Sequence, residues 1–201
     1  MGPDAAQVIE IYQRHALEWS RDRRDRLVEQ RGLDRFVPLL PAPHREVLDI
    51  RCGAGVPIAR YLIEQGCQVS GADSSSTMIK MCAHRFPEHQ WHVADMRTLA
   101  LDRTFGGILA WDSLFHLSPG DQRGMFPIFR QHAAPGAMVM FTSGPLAGEQ
   151  IGSYQGERLY HASLDSAEYR KLLGENGFDV IAHVAADASC GMRTVWVGRL
   201  R

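Results

Sequence analysis

From Val47 onward, short apolar runs alternate with longer stretches whose apolar residues recur every three or four positions. Runs of the first kind predict buried strands, and those of the second kind predict amphipathic helices. Strands are expected at Val47–Ile50, Cys67–Ala72, Gln90–Ala94, Gly107–Trp111, Ala137–Thr142, Phe178–Val184 and Thr194–Arg199. Helices are expected at Pro57–Gln65, from a cap at Ser74, Ser75 or Ser76 to about Arg85, at Pro119–Ala133, and from a cap at Asp165 to Gly174–Gly177. Pro127 should bend the third of these or mark its start. Strands alternating with helices predict an α/β fold with a doubly wound, mostly parallel sheet. No helix separates the last two strands, so they are expected to pair antiparallel through Ala185–Arg193. The segment Ser143–Ser163 reads as a glycine-rich loop.

The first forty residues have a different pattern. Val8, Ile11, Tyr12, His15, Leu17 and Trp19 predict one helix over Asp4–Gln30, ended by Gly32. A second short helix is expected at Leu33–Leu40, closed by Pro41-Ala42-Pro43. Residues 1–43 are therefore read as an N-terminal helical cap and residues 44–201 as the main domain. The run RDRRDR at Arg21–Arg26 reads as a solvated helix face.

Composition narrows the function classes. The chain has 201 residues, 45% hydrophobic and 22% charged, which suits one globular unit with a sizeable core. A net charge of -1 gives no bulk attraction to nucleic acid or to a membrane surface. No apolar run approaches the roughly 18 residues of a membrane span, and no basic region followed by an apolar core marks a secretory signal. Cys52, Cys67, Cys82 and Cys190 form no C-x-x-C pair, so reduced thiols in a cytoplasmic protein are expected. His84, His89 and His92 have no recognisable metal-ligand spacing, and no metal is expected.

The candidate chemistry starts at Glu46–Gly55, EVLDIRCGAG. Asp49 interrupts the apolar run Val47–Ile50 near its end, small residues turn the chain, and Pro57 opens a helix, where its missing N–H loses no partner. Small residues let a ligand approach the backbone. The dinucleotide fingerprint needs a third glycine where Ile58 stands. The stretch instead resembles motif I of the class I S-adenosylmethionine (SAM)-dependent methyltransferases, an acid-x-Gly-x-Gly-x-Gly pattern. Asp49 matches the acid, Gly53 and Gly55 match the second and third glycines, and Arg51 replaces the first. The resemblance runs over about residues 44–201 and includes the closing strand pair. It implies a Rossmann-like sheet of seven strands with an antiparallel last strand, with SAM as methyl donor and S-adenosylhomocysteine (SAH) as product.

The resemblance also implies roles. Asp49, Arg51, Cys52, Gly53, Ala54 and Gly55 form the donor turn. Asp73, at the end of the second strand, takes both ribose hydroxyls, with Ser74 beside it. Asp95 contacts the adenine amino group, and Met96 and Met78 pack near the ring. Trp111 and Asp112 lie where methyl group and acceptor meet. His116, four residues beyond Asp112, would align with it on one helical turn and act as base or orienting residue. Tyr154, Tyr160 and His161 should cover a small-molecule acceptor, with His161 a second candidate base. Tyr12, His15 and Trp19 should form the other wall.

No N-P-P-Y type tetrad follows the fourth strand, which argues against DNA-adenine and protein-glutamine methylation. A non-catalytic SAM or nucleoside binder is an alternative, because of Arg51. An NAD-dependent oxidoreductase is disfavoured by Ile58 and the closing strand pair. Nothing in the sequence demands a positive φ at residue 51, so an intact fold with weakened donor affinity is expected there.

Overall fold

The computed structural model describes residues 3–23, 26–42 and 45–201. Its strands are β1 (Glu46–Ile50), β2 (Gln68–Asp73), β3 (Gln90–Val93), β4 (Phe105–Ala110), β5 (Ala133–Ser143), β6 (Gly148–Tyr154), β7 (Glu157–Ser163), β8 (Phe178–Asp187) and β9 (Arg193–Leu200). Seven of them form one sheet in the order β3-β2-β1-β4-β5-β9-β8. The first five run parallel, and β9 is antiparallel to both β5 and β8. The helices are α1 (Pro3–Arg14), α2 (Ala16–Arg23), α3 (Gln30–Phe36), α4 (Ile58–Glu64), α5 (Ser76–Arg85), α6 (Pro119–His132) and α7 (Ser166–Glu175). The expected seven-stranded, Rossmann-like sheet is present.

Alternation along each strand feeds two cores. Leu48, Ile50, Ile108, Val139, Phe141 and Trp196 point to one face, under Phe126 and Phe129 of α6 and Tyr169 of α7. Val47, Val69, Leu109, Met138 and Met140 point to the other, against Leu62 of α4 and Leu33 and Phe36 of α3. This period-two division is what a sheet covered on both faces requires. Strand order reverses at β1, between β2 and β4, so the carboxyl ends of these strands border the crevice where such folds bind ligands.

Four expectations need correction. The helix foreseen over Asp4–Gln30 is two helices, α1 and α2, interrupted at His15. Gly32 does not end a helix but lies inside α3. A Cβ there would stand 3.1 Å from the Trp111 ring, so glycine lets α3 back onto that side chain. The helix foreseen at Leu33–Leu40 is the end of α3 and a 3-10 turn at Val37–Leu39; Pro43 lies outside the described residues. Finally, Ser143–Ser163 is not a loop, because β6 and β7 pair as a hairpin. Its Gln155-Gly156 turn has φ of 52° and 81°, the left-handed pair of a tight hairpin turn.

α1 packs on β7, and α2 packs on α5, so the N-terminal helices and the hairpin meet above the carboxyl edge of the sheet. Pro127 sits within α6, which continues through it. Among the described residues no helix is long and apolar enough to cross a membrane. No three His, Cys, Asp or Glu side chains among them gather as a metal site.

Candidate functional site

The turn after β1 is tied to the end of β2 by its backbone. The N–H groups of Arg51 and Cys52 both donate to the Ala72 carbonyl, at 2.7 and 3.1 Å. The chain then takes positive φ at Arg51 (61°), Gly53 (56°) and Gly55 (75°). The sequence reading of an unconstrained Arg51 is thus corrected: the fold holds an L-residue in the left-handed region, at a cost of about 1–2 kcal/mol. Ala54 is buried beneath the turn, and Cys52 is half-buried. A Cβ on Gly53 would stand in van der Waals contact with Trp19, 3.5 Å from its Nε1, and 3.9 Å from Met78 Sδ.

Asp73 is buried at the end of β2 and organises this region. Its Oδ2 accepts from Gly53 N at 3.1 Å, and its Oδ1 accepts from Ser75 N at 2.8 Å. Ser75 in turn caps α5 by accepting from Met78 N at 3.2 Å. Each Asp73 oxygen thus keeps a lone pair for a further donor. Burial pushes the Asp73 carboxyl up, opposed by the Arg51 guanidinium and the two N–H groups.

Below the turn lie charges without full partners. Asp49 is 2% exposed, and its Oδ2 makes no hydrogen bond among the described residues. Burial, then the charges of Asp73 and Glu29, push its carboxyl up to about 7. Glu29 is fully buried and paired with Arg23, yet its Oε2 has no hydrogen-bond partner among the described residues. Trp111 presents a buried indole N–H with no acceptor among the described residues. Sequence reading missed Glu29 and Arg23, having placed Arg23 on a solvated face.

Asp95 follows β3 and caps a 3-10 turn at Met96–Thr98. Its carboxylate accepts from Arg97 N and Nε, each at 3.0 Å. Burial acts to raise its pKa, but the Arg97 hydrogen bonds outweigh this and hold it below the usual range. Met96 and Ser74 border the same space, whereas the buried Met78 lies at the Asp73 end.

Two small cavities occupy this crevice. One, of about 50 Å³, is bordered by Asp73, Gly53, Trp111, Asp112 and Trp19. The other, of about 20 Å³, is bordered by Ser74, Asp95, Met96 and His116. Arg51 borders both, its guanidinium 4.7 Å above the Tyr12 ring. Arg51 and Tyr12 thus divide the crevice into an Asp73 end and an Asp95 end.

The expected acceptor-side residues converge as a packed aromatic cluster. Tyr12 lies 5.1 Å from Trp19 and stacks on Tyr154 at 6.0 Å between centroids. His15 pairs with Glu157 at 2.6 Å and meets Tyr154 edge-on. Asp112 and His116 are not aligned on a helical turn as expected. Asp112 has φ of 45°, and both its oxygens take the guanidinium of Arg193, at 2.8–3.2 Å. His116, on a 3-10 turn, faces the Tyr160 carbonyl with Nδ1 at 3.0 Å and the Tyr12 hydroxyl with Nε2 at 3.0 Å. The carbonyl can only accept, so Nδ1 carries the proton and Nε2 accepts from Tyr12. Burial, then Arg51, lowers the His116 pKa well below its ordinary value, keeping the ring neutral. The Tyr160 hydroxyl donates to Glu149 at 2.8 Å, and the His161 ring lies 4.8 Å from that of His116. Arg193 is a further residue that sequence reading did not single out.

Comparison with known proteins fits this geometry. Residues 47–136 match the family described as Methyltransferase domain. The malonyl-[acyl-carrier protein] O-methyltransferase of Salmonella typhimurium is 30% identical over 117 residues, 58% of this chain and 46% of that protein. The carboxy-S-adenosyl-L-methionine synthase of Aliivibrio salmonicida is 28% identical over 109 residues, 50% of this chain and 45% of that one. The chain thus spans less than half the length of these curated relatives. The structure of magnesium protoporphyrin IX methyltransferase from Synechocystis, solved with bound SAM, matches with a TM-score of 0.74 at 18% identity, over 100% of this chain and 99% of that one. Residues 47–136 thus carry the match to a methyltransferase domain, and the chain as a whole has the fold of solved SAM-bound methyltransferases.

Proposed function

We propose that the chain transfers a methyl group from SAM to a small-molecule acceptor, with SAM held across the crevice between Asp49 and Asp95. The observation that carries this reading is the set of unfilled valences around the glycine turn. Asp73 has one acceptor position left on each oxygen, which suits a ribose diol. Asp49 Oδ2 is a buried acceptor and Trp111 Nε1 a buried donor, neither of them paired among the described residues. A zwitterionic amino-acid end supplies one cationic donor and one anionic acceptor, and so satisfies both. At the far end, Asp95 and Met96 border space for the adenine.

When bound, SAM supplies an electrophilic methyl group on a sulfonium. The chain's contribution is alignment and exclusion of water. Tyr12, Trp19 and Tyr154 close the crevice from above, and neutral His116 fixes the Tyr12 hydroxyl. The two cavities are much smaller than the roughly 300–1,000 Å³ of small-molecule sites. Binding therefore requires Arg51 and the α1–α2 side chains to give way.

Calorimetry on the full chain tests the donor assignment. SAH is expected to bind and NAD is not. Arg51→Gly is expected to bind SAH about tenfold more tightly, because it joins the two cavities and relieves the left-handed strain. The variant also has no Arg51–Tyr12 contact to break on binding, a contact worth about 0.5–1 kcal/mol. Equal or weaker SAH binding by the glycine variant would make Arg51 a contact to the donor rather than an obstruction.

A further inference from the structure

A third cavity lies on the outer side of the β6–β7 hairpin, beyond the packed aromatic cluster. We infer that this cavity is the acceptor site, and that it takes a flat, mostly apolar molecule, neutral or cationic, bearing one protic hydroxyl or amine. The inference rests on the methyl-transfer reading above and specifies its second substrate.

Size is the first observation. The cavity holds about 670 Å³, within the roughly 300–1,000 Å³ range of sites for metabolite-sized ligands. Its border includes Phe115, Leu146, Ile151, Met192, His161 and Arg193. Leu146, Ile151 and Met192 are exposed apolar side chains. Phe115 and His161 stack at 5.5 Å with 29° between their planes, which presents a flat aromatic wall.

Charge is the second. The charged residues bordering the cavity are Glu149 and Arg193. Both oxygens of Asp112 occupy the Arg193 guanidinium. The uncompensated charge is that of Glu149, so the site disfavours an anion.

Position is the third. Asp112 borders the larger donor cavity and Arg193 borders this one, so their ion pair is a partition between the two. His116 borders the smaller donor cavity and lies 4.8 Å from His161, a second partition of two rings in contact.

His161 supplies the chemistry. Its Nδ1 lies 3.1 Å from the Leu159 carbonyl, which can only accept, so Nδ1 carries the proton. Nε2 is left with its lone pair and has no hydrogen-bond partner among the described residues. Burial lowers the His161 pKa, keeping that lone pair available. Transfer requires the Asp112–Arg193 partition to part; the acceptor's oxygen or nitrogen then forms a bond to the methyl carbon as the carbon–sulfur bond breaks. The bonding pair stays on sulfur and the sulfonium charge is lost. The acceptor's proton passes to His161 Nε2 and from there to solvent.

The test uses 2-naphthol as probe and the full chain saturated with SAH, its methionine methyl groups labelled with 13C. Titration is expected to shift the Met192 signal saturably and to leave Met78 and Met96 in place. The anionic analogue naphthalene-2-sulfonate is expected to bind at least fivefold more weakly. Ala147→Trp, which fills the cavity from an exposed position, is expected to weaken 2-naphthol binding at least tenfold with SAH affinity unchanged. The inference is overturned by an unmoved Met192, a Met192 shift that survives Ala147→Trp, shifts confined to Met78 and Met96, or equal binding of the sulfonate. Failure of SAH itself to bind would instead contradict the methyl-transfer reading.

Discussion

Replacing Asp73 with alanine is expected to weaken SAH binding by about 1.5–3 kcal/mol, roughly 10- to 150-fold. The size follows from what the carboxylate does. It is buried, it already holds Gly53 N and Ser75 N, and its two remaining acceptor positions are assigned to the ribose hydroxyls. Hydrogen bonds to an ionised group are the stronger kind, and here they form away from bulk water. Alanine also frees the Gly53 and Ser75 N–H groups, so some fold stability is lost with the affinity. Asp73→Asn separates the two effects. It keeps one acceptor oxygen and the side-chain volume, and its affinity should fall between wild type and Asp73→Ala. Calorimetry on variants whose circular dichroism matches wild type measures the loss. Unchanged affinity in a folded Asp73→Ala variant would remove Asp73 from the donor site.

The second large effect is expected at Asp49. Its carboxyl is raised from 3.8 to about 7 by burial, with Asp73 and Glu29 adding to the shift. A raised carboxyl favours the folded state while it keeps its proton. That stability is fully present below about pH 4 and is lost as pH rises through 7, about 4 kcal/mol over the window. Asp49→Asn is expected to remove this part of the pH dependence of unfolding. The same group reports on the ligand. An ammonium placed against Asp49 favours its ionised form, so SAH binding near pH 6 is expected to release up to one proton. By pH 8.5 the carboxyl is already ionised and the release disappears. Calorimetry in buffers of different ionisation heat counts these protons. Proton uptake, or no exchange at pH 6, would show that the donor's cationic end lies elsewhere.

The sequence revealed those features that rest on local pattern. Apolar runs marked the central strands β1, β2, β4 and β5, since a strand buried on both faces needs such a run. A cap within Ser74–Ser76, which the structure places at Ser75, and the acid ending β2 were legible because capping and strand-end chemistry lie within a few residues. The β6–β7 hairpin was not legible. Nearly all of β6 is exposed, so no alternation betrays it, and its turn is Gln-Gly rather than Asn-Gly or Asp-Gly. The long-range charge partners were hidden as well. Nothing near Arg193 in the chain points to Asp112, and nothing near Glu29 points to the buried space beside Asp49. The left-handed turn at Arg51 was missed because an arginine there gives no signal of a conformation that glycine would have announced.

Methyl transfer itself is tested most directly with SAM labelled in its methyl group, incubated with the full chain and a small-molecule extract. Label is expected to leave SAM only when chain and extract are both present, and to appear in a small molecule as SAH accumulates in equal amount. SAH that binds in the crevice while no label moves would contradict the account, leaving a protein that holds the donor without using it.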